Sequence, residues 1–197
     1  MNMFRTAALT TAAVGLTVVT IGAATAAPVT PAFLSASQLP AASTAWRADP
    51  VKPGTGDDFC TQGVAPHAAS KHREFRTELD TGAQQTITVA ATEAKAKALV
   101  TKLRASVESC LDRMKEQYPT IEGEAFHHGR VDVEEGANVY SIDTHDTEIG
   151  SSDIALYSVG RDGKAVTVVR WSQLGELDGA PLDGFRKTTR TAVAKLY

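Results

Sequence analysis

The sequence lacks clustered basic residues. Its lysines and arginines are scattered, and the formal net charge is −3 with histidine neutral. Nucleic-acid binding rests on grouped cations that neutralise phosphates, so a nucleic-acid partner is excluded. The mild acidic excess means solubility only. The sequence also lacks a Gly-x-Ser-x-Gly elbow, a Walker loop, a His-Glu-x-x-His helix and a dinucleotide fingerprint. No nucleophile or acid–base pair stands at a recognisable spacing, and the chain reads as non-catalytic, without a cofactor. A triad gathered from distant Ser, His and Asp residues is the minority alternative, because triads are defined by geometry and not by order. There is no internal repeat. Cysteine is scarce: Cys60 and Cys110 are the whole complement.

The one long apolar run is at the start. Arg5 precedes apolar residues from Ala7 to about Ala23, and Ala24-Thr25-Ala26 fits the small-x-small pattern of a signal-peptidase site. The run is short for a membrane span and rich in Thr and Gly, with no basic stop-transfer cluster after it. No cysteine stands at the cleavage site for a lipid anchor. The expectation is a signal peptide over residues 1–26, with the protein secreted to the outside of the cell and left with no stable membrane anchor. Residues 27–58, rich in Pro, Ala and Ser, read as an arm, and residues 59–197 as a single domain of ordinary core size, a monomer. Trp46 is too large to leave exposed without reason, so the arm is expected to pack back on the core.

Two cysteines in an exported chain of this size most simply form one disulfide. Two free thiols or an intermolecular bridge are the alternatives. Cys110 lies in the clearest helical pattern of the chain, Thr92–Tyr118, whose apolar positions are Ala96, Leu99, Val100, Leu103, Val107, Cys110, Leu111 and Met114. Thr92 is a candidate N-cap, and Pro119 ends the pattern.

Strands are predicted on either side of this helix. Two runs around Thr81-Gly82-Ala83 precede it. Beyond Pro119, AFHHGRVDV and ANVYSIDTH flank Glu134-Glu135-Gly136, and DIALYSVG and KAVTVVRWS flank Arg161-Asp162-Gly163. A final helix is predicted from Pro181 to Leu196. The order ββαββββα, with short connections, predicts an α+β fold: an antiparallel sheet with two helices packed on one face.

The last hairpin has apolar residues on both sides. Val166, Val168 and Arg170 share one face, and Thr167, Val169 and Trp171 the other; Ile154 and Leu156 lie opposite Tyr157 and Val159. With helices on one face, the other is either roofed by the arm or forms an apolar groove. In the second case Tyr157, Thr167, Val169 and Trp171 are the expected ligand-binding residues. Asp143, His145, Asp146 and Glu148 form a dense run of metal-capable groups. Only Asp143 and His145 share a strand face, whereas zinc takes three or four ligands, and a solvated strand end is the simpler reading. His127 and His128 are adjacent and point apart on a strand; His67 and His72 read as exposed loop residues.

Leu39-Pro40, Trp46, Cys60, the hairpin feeding a helix, Cys110 late in that helix, the strands around Asp162-Gly163 and the terminal helix form a familiar layout. It resembles the extracellular sensor domain of PknH-type actinobacterial serine/threonine kinases and its stand-alone secreted relatives. The resemblance implies an α+β fold with a cleft and a role in sensing or binding outside the membrane. The family domain carries two disulfides, where this chain has cysteines for one. The expected function is a secreted, non-catalytic, sensor-like module binding an unknown small molecule or protein outside the cell. The alternatives are a secreted inhibitor or other protein-binding module and, less favoured, an unrecognised hydrolase.

Overall fold

Thr92 opens the central helix as its sequence predicts. Its hydroxyl accepts a hydrogen bond from the Lys95 amide at 3.2 Å, satisfying a first-turn donor. In the computed structural model, which describes residues 30–197, this helix is α1, Glu93–Glu108. It breaks at Ser109 and resumes as α2, Cys110–Gln117. Ala96, Leu99, Leu103, Val107, Cys110 and Leu111 are buried, which is the predicted stripe. The expected signal segment, 1–26, lies outside the described residues. Among them, no helix is long and apolar enough to cross a membrane.

The strands are β1 Arg47–Ala48, β2 Lys52–Pro53, β3 Ser70–Arg76, β4 Gly82–Val89, β5 Ile121–Val131, β6 Ala137–Asp146, β7 Ser151–Asp162 and β8 Ala165–Leu174; α3 is Leu182–Ala194. They form one antiparallel sheet in the order β1-β3-β4-β8-β7-β6-β5, with β2 also paired to β3. The class is therefore the expected α+β, and the main elements follow the expected order. At the last hairpin Asp162 pairs with Ala165, so the two turn residues are Gly163 and Lys164, one position later than the Asp-Gly pair indicated. Gly163 has φ +50°, which glycine adopts without steric cost at the first central position of such a turn.

The helices divide between the two faces. On the first face α1 and α2 pack on Tyr140, Ile142, Tyr157, Val159, Val166 and Val168. On the second lies α3, whose Phe185 and Ala192 pack with Val139, Leu156, Val169 and Trp171. The arm completes the second face: Leu34 and Leu39 are buried there, and Trp46 packs against the cluster while donating to the Pro40 carbonyl at 2.7 Å. Buried Gln85 ties arm to sheet, accepting from the Leu34 amide at 2.7 Å and donating to the Thr167 hydroxyl at 3.1 Å.

Of the two alternatives for this face of the last hairpin, the one roofed by the arm is present, together with α3, and the groove alternative with its ligand-binding residues is corrected. Thr167, Val169 and Trp171 are at most 1% exposed and belong to the core beneath α3 and the arm. They line no groove. Tyr157, on the other face, is separated from them by the thickness of the sheet. His72 is also buried rather than exposed, with its Nδ1 3.1 Å from the Gly54 carbonyl oxygen.

Candidate functional site

The cysteines come first, because they place a wall of the site. Cys60 and Cys110 are bonded, with Cα atoms 5.1 Å apart. The bond fixes the segment around Phe59 against the start of α2. Ser106 and Arg113 reinforce it, each donating to the Cys60 carbonyl oxygen.

Beside this wall the first face of the sheet carries three successive rows of side chains, set by strand register. The upper row is Tyr140, Tyr157, Arg170 and Gln84. The middle row is Ile142, Ala155, Ser172 and Gly82. The lower row is Thr144, Asp153 and Leu174. Three consecutive strands, β7, β8 and β4, contribute only Ala, Ser and Gly to the middle row. A trough of about 450 Å³ results, with Ala155 and Ser172 on its floor. Phe59, Met114, Tyr118 and Ile121 form its apolar side, and Asp80, Thr144, Asp153 and Gln173 its polar rim. Among the described residues nothing roofs it, because α1 crosses the sheet higher up and α2 ends at Gln117, two residues before Pro119. Tyr118 is left 49% exposed at the edge.

A buried polar group anchors the upper wall. The Asp58 carboxylate, 4% exposed, accepts from the Tyr157 hydroxyl at 3.0 Å and from the Thr61 amide and hydroxyl, each at 2.9 Å. Arg170 Nε lies 3.5 Å from it. Burial pushes the Tyr157 hydroxyl well above the usual tyrosine pKa; the neighbouring carboxylate adds to this, and Arg170 opposes it. Tyr157 is therefore a neutral donor at physiological pH. Nearby Tyr140, between Arg104 and Glu108, is raised to about 12, chiefly by burial.

Of the ligand-binding residues expected from the sequence, only Tyr157 reaches the trough. Sequence reasoning missed Asp58, Phe59, Tyr118, Ala155, Arg170 and Ser172. One signal was present: Arg170 interrupts an apolar strand at a position that shares a face with Val166 and Val168. The metal-capable run is dispersed. Asp143 accepts from the Leu177 amide, His145 meets the Ser152 hydroxyl, and Asp146 accepts from the Glu148 and Ile149 amides of a turn. Among the described residues no three such groups converge. His128 Nε2 is 2.8 Å from the Ser141 hydroxyl, but Ser141 is fully buried and lies away from the trough. Burial, Arg186 and His127 lower the His128 pKa, so its imidazole is neutral near pH 7.

Comparison of the chain with protein-family models, with curated proteins and with solved structures found no match.

Proposed function

We propose that this protein is a secreted, non-catalytic binding module, a sensor-like domain that takes an extracellular small molecule into the trough beside Tyr157 and Arg170. The observation that carries this reading is the middle row of small residues. A sheet face packed beneath helices is filled by large side chains, as Tyr140, Tyr157, Arg170 and Gln84 fill the row above. Ala155 and Ser172 instead leave a concave space with one apolar side and a few polar groups, which is the usual form of a small-molecule site. Concavity favours a small ligand over a flat protein contact. The resemblance to the PknH-type sensor domain is consistent with this reading and adds the expectation of a location outside the membrane. The disulfide fits an oxidising compartment.

Native mass spectrometry of protein purified from culture medium tests the reading. The expected result is a bound small molecule on the native chain that is absent from an Ala155→Leu variant of normal fold. A ligand retained in full by that variant places binding elsewhere.

A further inference from the structure

Granting the trough as the binding site, we propose that its ligand is a small amphipathic carboxylate. Its apolar body lies against Phe59, Met114, Tyr118 and Ile142, and its carboxylate pairs with Arg170.

Among the described residues, Arg170 is the only cation lining the trough. Its Nε is buried and has no hydrogen-bond partner among them. Asp58 is near, but both of its oxygens already accept from others: Oδ1 from Thr61 twice, and Oδ2 from Tyr157. The 3.5 Å contact to Arg170 is one of charge, without hydrogen-bond geometry. Asp58 thus holds the base of the guanidinium from behind and leaves its donors underused. A guanidinium is a planar fork that matches a carboxylate in two parallel hydrogen bonds.

Asp58 offsets the charge of Arg170, so a ligand carboxylate is recognised through the unused donors of the guanidinium rather than through a net positive field, and the acidic rim lies at the other end of the trough. Tyr157 pairs with Arg170, while Asp153 stands four residues away on the same strand. At roughly 3.3 Å per residue that sets the two rows about 13 Å apart along the strand. Asp80 is engaged by the Leu174 amide at that same lower end. The trough is therefore polarised, with a cation at the upper wall, an apolar side, and acceptors below. One guanidinium fork takes one carboxylate, and the volume suits a body of drug size or smaller.

The test titrates the secreted chain with three isosteric probes: 4-phenylbutyrate, 4-phenylbutanol and 4-phenylbutylamine. Calorimetry reads affinity, and amide chemical shifts at Ala155, Ser172 and Tyr118 read location. The acid is expected to bind at least tenfold more tightly than the alcohol or the amine. Arg170→Gln should weaken the acid at least tenfold more than it weakens the alcohol, and the alcohol's shifts at the trough amides report that the trough is still formed. Arg170→Lys, which keeps the charge without the fork, should fall between. Equal binding of the three probes, tighter binding of the amine, or an Arg170→Gln variant that keeps full affinity for the acid overturns the proposal. Tighter binding of N-acetyl-phenylalanyl-leucine than of 4-phenylbutyrate assigns the carboxylate to a peptide C-terminus and overturns the small-molecule source. If no probe shifts the trough amides while Ala155→Leu still removes a co-purified molecule, the trough stands as the site and the carboxylate assignment fails.

Discussion

Leu156 and Tyr157 are consecutive on β7 and both buried, yet they serve opposite faces of the sheet. Leu156 faces α3 and the arm, within a continuous apolar cluster that includes Trp171, Phe185, Leu34 and Val169. Tyr157 faces the helix pair, and its hydroxyl reaches a buried carboxylate at the wall of an open trough. The second face is closed by two separate pieces of chain, one from each end of the sequence. The first face is closed by the α1–α2 segment and the stretch from Asp58 to Ala65 bonded to it, which cover its upper rows and stop. The same strands thus supply a core and a site, because alternate residues answer to different partners. What separates the two is how far the covering segments extend.

The largest expected effect is on the closed face. Trp171 is 1% exposed, and truncating it leaves a large cavity beneath α3. Trp171→Ala should lose about 3–5 kcal/mol of stability in urea unfolding, the usual cost of deleting a buried aromatic. Tyr118→Ala, at the rim of the open face, should lose far less. Similar losses for both would mean that the contrast between the faces is not energetic.

Next is the covalent tie of the open face. The disulfide joins residues 50 apart in sequence. Replacing both cysteines by serine should cost about 2–4 kcal/mol, the typical contribution of a disulfide. Because it joins the Phe59 segment to α2, its removal should also raise hydrogen exchange in residues 57–64 and α2 before it does so in α3. Uniform exchange across both faces would show that the bond stabilises the whole chain without holding the trough wall.

Much of the fold was legible in the sequence. The helix stripe from Ala96 to Leu111, the Thr92 cap and the six main strands depend on local periodicity and capping, which a single chain displays. The candidate site was less so. Tyr157 and Arg170 are paired on one hairpin, but Asp58 lies 99 residues before Tyr157 in sequence. The row of Ala155, Ser172 and Gly82 exists only once register is fixed, and register turns on a Gly163-Lys164 turn that lies one residue from the Asp162-Gly163 signal. Periodicity leaves two readings of the Trp171 face, a roof formed by the arm or an apolar groove, and does not decide between them. The arm and α3 supply that cover through contacts such as Leu34 to Gln85, which no local pattern reveals.

A smaller effect concerns the buried hydroxyl of the open face. Tyr157 ionises well above its ordinary value in the folded protein, whereas an unfolded tyrosine ionises near about 10. The stability linked to this difference is fully present below about pH 10 and is lost as pH rises toward the folded value. Tyr157→Phe should therefore show a shallower loss of stability above about pH 10 than the native chain. At pH 7 it should be weaker by about 1–3 kcal/mol, because Asp58 loses a donor in a buried place. An unchanged alkaline profile would mean that this hydroxyl is not held neutral by burial.

The last comparison uses two small residues of β7 that face opposite ways. Gly160 lies on the closed face, where an added Cβ would come within 2.7 Å of Val193 Cγ2 and 2.8 Å of the Ala137 Cβ. It is small because α3 presses on the sheet there. Ala155 lies on the open face, partly exposed, and is small beside empty volume. Gly160→Ala should therefore destabilise the chain. Overpacking typically costs about 1–3 kcal/mol, against a gain of about 0.4–1 kcal/mol from restricting the unfolded chain, which leaves a net loss of about 1 kcal/mol. Ala155→Leu, although a larger change, should stay within about 0.5 kcal/mol of the native chain, because its new atoms enter the trough rather than a packed layer. The reverse order, with Ala155→Leu the more damaging, would show that the trough closes in solution and that the face described as open is also core.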